Sequence, residues 1–482
     1  MKKLLLYCGC LLFFLFSANA QQSSAEAISK IDSFITDQVR EKNFSGVVMV
    51  SRNGTVLYQK AVGYADAEKK IFNTVSTNFN IASMGKVFTA AMIMQLIQEG
   101  KLSLNDPVNR YISDDTITNG KTITVAHLLT HTSGIGNYMM HKNFSVAMKS
   151  LRSLKDVMNL VVEMKPTKDA PGGSFDYSNS GFIVLGRIIE TITGKEYIAN
   201  LKERIFTPAG LTNSYIHYPA TFHAPKEAVP YYVFSSKTRV NGISDEFPGF
   251  SDGGMQSNAI DLTKFAEALL NNRLLAQALC DSMWKEYVDA NYGEQYGLGW
   301  FINTSAHNRK IVGHSGGGHG FSSDLQISLN DKTVVVVLIN NNISAREISK
   351  NIFTILYKNY YEKPQKPLEN ILFEAAEEKG VEFVTTQYQE ILKRHHIEKT
   401  PNAWVYIRLS DIFSALNRHD DALRILELGR AEFPAEAPLY NVTGNIYMSK
   451  NNKQESIKWF SKALEVNPRD EYANMMLNEI KK

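Results

Sequence analysis

The sheet-forming residues of this chain sit at the two ends of a long stretch that reads mainly as helix. Val47 to Val50 and Thr55 to Tyr58 flank Arg52-Asn53-Gly54, and Asn-Gly between β-rich runs is the strongest short-range hairpin signal. The remaining β-rich runs lie far downstream, between Gly297 and Asn341: Trp300 to Asn303, Lys310 to Gly313, Ser323 to Ser328 and Thr333 to Ile339, separated by tight polar turns. This order fits one sheet assembled from both ends around a helical insertion, an α/β fold. A helix opens the chain from Ala25 to Arg40. Within the insertion, Val87 to Ile97 is apolar almost all round, which marks a buried helix with Gly100 as its cap.

The extreme N-terminus is of another kind. Lys2 and Lys3 precede an apolar run from Leu4 to Phe16, and Ala18-Asn19-Ala20 supplies a small-x-small pattern before Gln21. Residues 1–20 therefore read as a signal peptide cleaved after Ala20, leaving a secreted or periplasmic protein. The apolar run is shorter than the ~20 residues that span a bilayer. Tyr7 and Cys8 argue against Cys10 as a lipid-bearing cysteine. Cleavage leaves Cys280 as the one cysteine, so neither an internal disulfide nor a cysteine-based zinc site is available.

At 482 residues, with 44% hydrophobic and 21% charged, the chain is long enough for a large unstapled core and an appendage. Lys plus Arg number 52 against 49 Asp plus Glu. That near balance gives no electrostatic case for nucleic acid.

The appendage is a repeat. Tyr406, Phe413, Ala422, Leu426 and Pro434 recur 34 positions on as Tyr440, Tyr447, Ser456, Phe460 and Pro468. Period and pattern resemble the tetratricopeptide repeat, a helix–turn–helix unit that buries its face by stacking. Glu369 to Lys399 reads as a degenerate preceding repeat and Tyr472 to Ile480 as a closing helix. Lys363-Pro364-Gln365-Lys366-Pro367 has the composition of a linker. The expected organisation is 21–362 as one domain, 363–368 as linker and 369–482 as helical repeats.

Three short motifs carry chemistry. Ser83-Met84-Gly85-Lys86 stands at the start of the Val87 helix, where Ser and Lys at i and i+3 share a face. Burial and the helix N-terminus would both disfavour a charged lysine, so Lys86 could take the Ser83 proton as the hydroxyl attacks a carbonyl. Ser282-Met283-Trp284-Lys285 matches the same pattern, so the motif alone is weak. Tyr177-Ser178-Asn179 follows a Gly-rich turn and leads into an apolar helix, Phe182 to Ile189; the same Y-x-N at Tyr357 and Tyr472 lacks that context. Gly313-His314-Ser315-Gly316-Gly317-Gly318-His319-Gly320 runs from strand to strand, its glycines permitting close approach of a backbone edge to a ligand.

In this order the motifs resemble the class C β-lactamase and penicillin-binding serine hydrolase superfamily. Leu102 to Val108, Ile123 to Gly134, Gly253-Gly254-Met255-Gln256-Ser257 and Tyr296-Gly297-Leu298-Gly299-Trp300 support the resemblance, which runs from about Ile28 to Tyr360. It implies a β-lactamase/transpeptidase-like antiparallel sheet flanked by helices, with a helical insertion domain. It also implies Ser83 as the acylated nucleophile, Lys86 and Tyr177 exchanging its proton, and Asn179 on the substrate amide. His314, Ser315 and Gly316 take the Lys-Thr-Gly strand position, and the backbone amides of Ser83 and Gly317 form the oxyanion hole. Neither metal nor cofactor is implied. The substrate is a D-amino-acid peptide, an ester or amide, or a β-lactam.

One departure bears on that substrate. His314 stands where many penicillin-recognising members carry a lysine, and a histidine near its reference pKa of ~6.5 is mostly neutral at pH 7.5. Efficient β-lactam hydrolysis is therefore not expected, and carboxylate-bearing substrates should gain as the pH falls towards 6.

Rival readings remain at this stage. Gly313 to Gly317 also spells G-x-S-x-G, a nucleophile elbow with Ser315 attacking, but an elbow needs a helix after it and the following residues are β-rich. His127 and His131 have zinc-binding i, i+4 spacing, yet lack the Glu of H-E-x-x-H and a third ligand, so a structural role at the Thr132-Ser133-Gly134 turn is expected. The repeats could instead make the protein a peptidoglycan-binding scaffold. Their groove suits a protein partner, and docking on the hydrolase is preferred because two repeats are few to stand alone.

Overall fold

A computed structural model of the chain describes residues 25–480, apart from 113–116, 149, 169, 217–225, 243–247, 292, 304–307 and 319. The segment read as a signal peptide, and His319, lie outside the described residues. The chain divides into two compact units. The first contains Phe44–Tyr231 and Asn241–Lys363 together with the chain up to Arg40; the second contains Pro364–Lys482 with two short earlier segments, Glu41–Asn43 and Tyr232–Val240.

The first unit is built on an eight-stranded antiparallel sheet. Its strands are β1 (Gly46–Arg52), β2 (Thr55–Val62), β3 (Val288–Asp289), β4 (Gln295–Tyr296), β5 (Phe301–Asn303), β6 (Ile311–Gly318), β7 (Phe321–Ser328) and β8 (Thr333–Ile339), in spatial order β2-β1-β8-β7-β6-β5-β4-β3. The β1–β2 turn has φ of +49° at Asn53 and +80° at Gly54, the left-handed pair that makes Asn-Gly a hairpin dipeptide. β1 and β8 close the sheet across the insertion, from Gly46 opposite Ile339 to Arg52 opposite Thr333.

Both of these strands are covered on both faces, which is why β8 is a continuous apolar run. Val48, Val50, Val335, Val337 and Ile339 pack with Phe34 and Ile35 of the helix over residues 25–42 and with Ile348 and Ile352. Val47, Met49, Val334, Val336 and Leu338 belong to the larger core on the other face. That core is filled by α1 (Lys86–Gln98), α2 (Asn179–Thr193) and α3 (Ala259–Leu270). α1 is buried continuously from Lys86 to Leu96 and gives way to Gly100 at φ +69°, the left-handed residue that ends a helix without a Cβ penalty.

One strand departs from its expected length. The pattern predicts an end at Gly313, but β6 continues through the glycines to Gly318. Glycine has little strand propensity of its own; here the ladder to β7, from His314 opposite Leu325 to Gly318 opposite Phe321, holds the extension in place.

In the second unit the 34-residue period appears as paired helices. Trp404–Ala415 with His419–Glu432 and Ala437–Ser449 with Lys453–Val466 form two hairpins, and Glu471–Ile480 closes the stack. A Cβ on Gly444 would lie 2.9 Å from the Phe460 ring, so the glycine lets the paired helices approach. Ahead of them, Leu368–Lys379 is followed by Val381–Thr386 and Tyr388–Arg394, a broken helical hairpin. Phe234 packs into this unit, edge-on to Phe373 with ring centres 5.9 Å apart.

Candidate active site

The turn that carries Ser83 is held from below by glycines. Phe79–Asn80 pairs with Gln256–Ser257, and Ile81 N–H donates to Met255 O at 2.9 Å. The chain then turns through one 3₁₀ turn, Ala82–Gly85, directly into α1. Ala82 has φ +45°, a costly conformation for a residue with a side chain, and its N–H is held by Asn80 Oδ1 at 2.9 Å. A Cβ on Gly253 would fall 2.5 Å from Ala82 O, and one on Gly316 would fall 2.0 Å from Ile81 O. The need for glycine at 316 is thus met first by the protein's own backbone, while Gly317 has no neighbour nearer than Phe321 O at 4.0 Å.

Lys86 opens α1 and is fully buried. Its Nζ donates to Asp252 O at 2.6 Å, to Asn179 Oδ1 at 2.7 Å and to Ser83 Oγ at 3.2 Å. An ammonium has three N–H groups, and these three oxygens receive them. The rings of Tyr177 and Phe182 lie 5.0 and 5.6 Å from Nζ. Asn179, the first residue of α2, also donates from Nδ2 to Met139 Sδ at 3.2 Å. Ser83, Lys86, Tyr177 and Asn179 therefore converge, although residues 83 and 179 are far apart in the chain.

Tyr177 belongs to an aromatic wall. Its ring lies 4.2 Å from that of His131 and 6.4 Å from that of His314. Tyr296 completes the wall, 5.0 Å from His131 and 6.2 Å from His314. His131, at φ +55°, accepts from Ser178 N–H through Nδ1 at 3.2 Å. His127 points elsewhere, in a reciprocal capping box with Thr124. The two histidines thus serve separate structural ends, and among the described residues no cluster of His, Cys, Asp and Glu is arranged to hold a metal.

His314 differs from expectation in its charge. It is buried, with Nδ1 2.6 Å from Ser315 O. Burial, and secondarily the Lys86 charge, push its imidazole down from 6.5 to about 3. It is neutral throughout the range in which the sequence alone had it titrating, so the expected gain for carboxylate-bearing substrates towards pH 6 has no basis in this residue. Ser315 sits inside β6, its hydroxyl donating to Asp324 Oδ1 at 2.7 Å. Since the whole G-x-S-x-G run lies in β6 and β7 follows, the strand–helix elbow is not formed.

Sequence reasoning passed over Asp252, Tyr138 and Asp324. Asp252 directly precedes the quoted Gly253-Gly254 pair, so a signal lay beside it, but nothing local marks its carboxyl as buried.

A family model described as Beta-lactamase matches residues 31–357, and one described as Tetratricopeptide repeat matches residues 437–470. A putative penicillin-binding protein of Bacillus subtilis (strain 168) is 32% identical over 339 residues, covering 70% of this chain and 81% of that protein. The crystal structure of a penicillin binding protein from Bacillus halodurans is similar at 28% identity and a TM-score of 0.61, covering 67% of this chain and 98% of that one. The octameric penicillin-binding protein homologue from Pyrococcus abyssi is similar at 28% identity and a TM-score of 0.63, covering 72% and 81%.

Proposed function

The chain belongs to the beta-lactamase family and is a serine hydrolase, and from that premise we propose that it forms an acyl-enzyme on Ser83, which water then hydrolyses. The observation that carries this reading is the Lys86 Nζ to Ser83 Oγ distance of 3.2 Å. With Lys86 as the neutral amine, two N–H groups stay on Asn179 Oδ1 and Asp252 O and the lone pair faces the hydroxyl. The Ser83 proton passes to Nζ as Oγ bonds the substrate carbonyl carbon, and the carbonyl π pair moves to oxygen. On collapse the leaving group departs and takes a proton, relayed through Lys86 and Tyr177. Water repeats the sequence to free the acid. Asn179 and the β6 edge from His314 to Gly317 orient the substrate, and the amides of Ser83 and Gly317 hold the oxyanion. Losing one such donor typically costs ~10²–10³ in rate.

The substrate is an ester, an amide or a D-amino-acid peptide, with β-lactams turned over slowly. Neutral His314 supports this ordering, because the strand position offers no cation for a substrate carboxylate. That favours a carboxylesterase-like preference over penicillin hydrolysis. Residues 21–362 form the hydrolase, 363–368 the linker and 369–482 the repeat domain, whose tetratricopeptide repeat suits a protein partner. We place the mature protein, cleaved after Ala20, in the periplasm or outside the cell. Among the described residues no helix is long and apolar enough to cross a membrane.

Acyl mapping tests the reading. The protein is mixed with a p-nitrophenyl ester or with a penicillin, quenched in acid, and any added mass is located by peptide sequencing. The expected adduct is on Ser83, absent in Ser83→Ala and formed faster by the ester. An adduct on Ser315, or none with either reagent, overturns it.

A further inference from the structure

Met139 takes no part in the steps above, yet the chain around it holds it in place. It lies in the 3₁₀ turn Tyr138–Met140, which follows Asn137, and Asn137 Oδ1 accepts from Met139 N–H at 3.2 Å. Tyr138 N–H donates to Ser180 Oγ at 2.8 Å, and that hydroxyl donates to Gly136 O at 2.6 Å. Ser180 is the residue after Asn179 at the start of α2. The turn is thus fastened to α2 one residue from the Asn179 side chain. The Tyr138 side chain is fully buried and Met139 half-buried.

What the turn delivers is the Met139 thioether, its sulfur 3.2 Å from Asn179 Nδ2. A carboxamide is nearly symmetric in shape, and its partners decide which end carries the oxygen. On one side Lys86 Nζ donates at 2.7 Å and requires Oδ1. On the other side a thioether has no hydrogen to give and only accepts, so it requires Nδ2. Both partners therefore demand the same orientation. Rotated by half a turn, the amide would set two donors together at Lys86 and two acceptors together at Met139. Nδ2 carries two N–H groups, and the hydrogen bonds among the described residues use one of them, on Met139. The other is left for a substrate carbonyl.

We infer that Met139 is a positioning residue that decides what Asn179 offers the substrate: by holding Nδ2, its thioether presents the amide as a donor to a carbonyl oxygen in the acyl part of the substrate. Met139 itself forms no bond to the substrate and exchanges no proton. The effect is one of selection. An acyl group with its own amide, such as an N-acyl-D-amino acid, gains from a donor fixed in direction. An acetyl group has no carbonyl beyond the reacting one and gains little. Because a thioether is a weak acceptor, it sets the direction of Nδ2 without competing strongly for the hydrogen that the substrate uses.

This inference rests on the proposed contact of Asn179 with the substrate, and the experiment separates the two. kcat/KM is measured on the full chain for p-nitrophenyl acetate and for the p-nitrophenyl ester of N-acetyl-D-alanine, in the wild type, Met139→Leu, Met139→Gln and Asn179→Ala. Leucine keeps the volume and loses the acceptor, whereas glutamine returns an acceptor in its Oε1. In Met139→Leu the preference for the amide-bearing ester over the acetate should fall about threefold to tenfold, the range of one net hydrogen bond. Met139→Gln should restore most of it. An unchanged preference in Met139→Leu, with both rates lowered or neither, overturns the role of Met139, since packing alone does not distinguish the two esters. Failure of glutamine to restore what leucine loses overturns the acceptor role equally. Should Met139→Leu fail to fold, Met139→Ala carries the same comparison. A wild type without the preference, or a preference that survives Asn179→Ala, overturns the Asn179 contact itself and the inference with it.

Discussion

The ring of His314 is tied to the main chain of the residue that follows it: Nδ1 lies 2.6 Å from Ser315 O. A carbonyl oxygen only accepts, so the proton sits on Nδ1, and Nε2 is buried without a partner. The imidazole is therefore held in one tautomer and in its neutral form. A protonated ring would leave a charged N–H buried with nothing to receive it.

A pH dependence of stability follows. The folded pKa of His314, about 3, lies below the unfolded value of ~6.5. Between these values the unfolded chain binds the extra proton, so the contribution is complete above about pH 6.5 and is lost as the pH falls towards 3. His131, pushed down by the same burial, acts in the same direction. Melting temperatures at pH 7.5 and pH 5 should fall more steeply for the wild type than for His314→Gln, which cannot take the proton. Parallel falls would contradict the buried neutral state.

Gly316→Ala should damage activity more than folding. The added carbon would need to occupy space 2.0 Å from Ile81 O and 2.6 Å from Ser323 Oγ, and Ile81 leads into the Ser83 turn. Separating β6 from that turn costs about 1–3 kcal/mol in stability. A displacement near 1 Å can cost about 10²-fold in rate. Ester hydrolysis and a thermal melt on the same sample check both. Activity within threefold of wild type would contradict the tight approach.

Ala82 should tolerate glycine and reject valine. At φ +45° an L-residue carries about 1–2 kcal/mol of strain that glycine escapes, set against about 0.5–1 kcal/mol of extra chain entropy. Ala82→Gly should therefore leave the denaturation midpoint unchanged or slightly raised. Ala82→Val, branched at Cβ in the same turn, should lower it. If valine proved as stable as glycine, the left-handed backbone at this position would be wrong.

Phe234→Ala should destabilise the helical unit. Phe234 is buried among Leu372, Phe373 and their neighbours, and removing such a ring costs about 3–5 kcal/mol. Hydrogen exchange should report faster opening across Leu368–Lys379. Unchanged protection there would contradict the packing.

Much of the fold is legible in the sequence. Asn53-Gly54 needs two left-handed residues at one turn, and that demand is visible in two letters. The apolar run of β8 and the all-round apolar α1 mark elements covered on every side. The 34-residue period shows as paired helices because each pair repeats one packing problem. The order Ser83, Lys86, Tyr177, Asn179, His314 carried the family resemblance even though S-x-x-K and Y-x-N each also occur elsewhere in the chain.

The sequence by itself determined the features set by near neighbours and by period: the hairpin, the buried helices, the repeat, and which residue types stand in the motifs. Only the tertiary structure decided their electrostatic state and spacing. His314 reads as a residue that titrates near neutrality until Tyr177, Tyr296 and Phe301 close around it. Gly316 reads as room for a ligand until Ile81 O is found against it. Asp252 has no local mark of burial in the sequence, yet it is buried with its main-chain oxygen on Lys86 Nζ. The physical reason is range. Backbone preference is a property of a residue and its immediate neighbours, whereas desolvation and Coulomb energy depend on groups brought together across more than a hundred residues of chain.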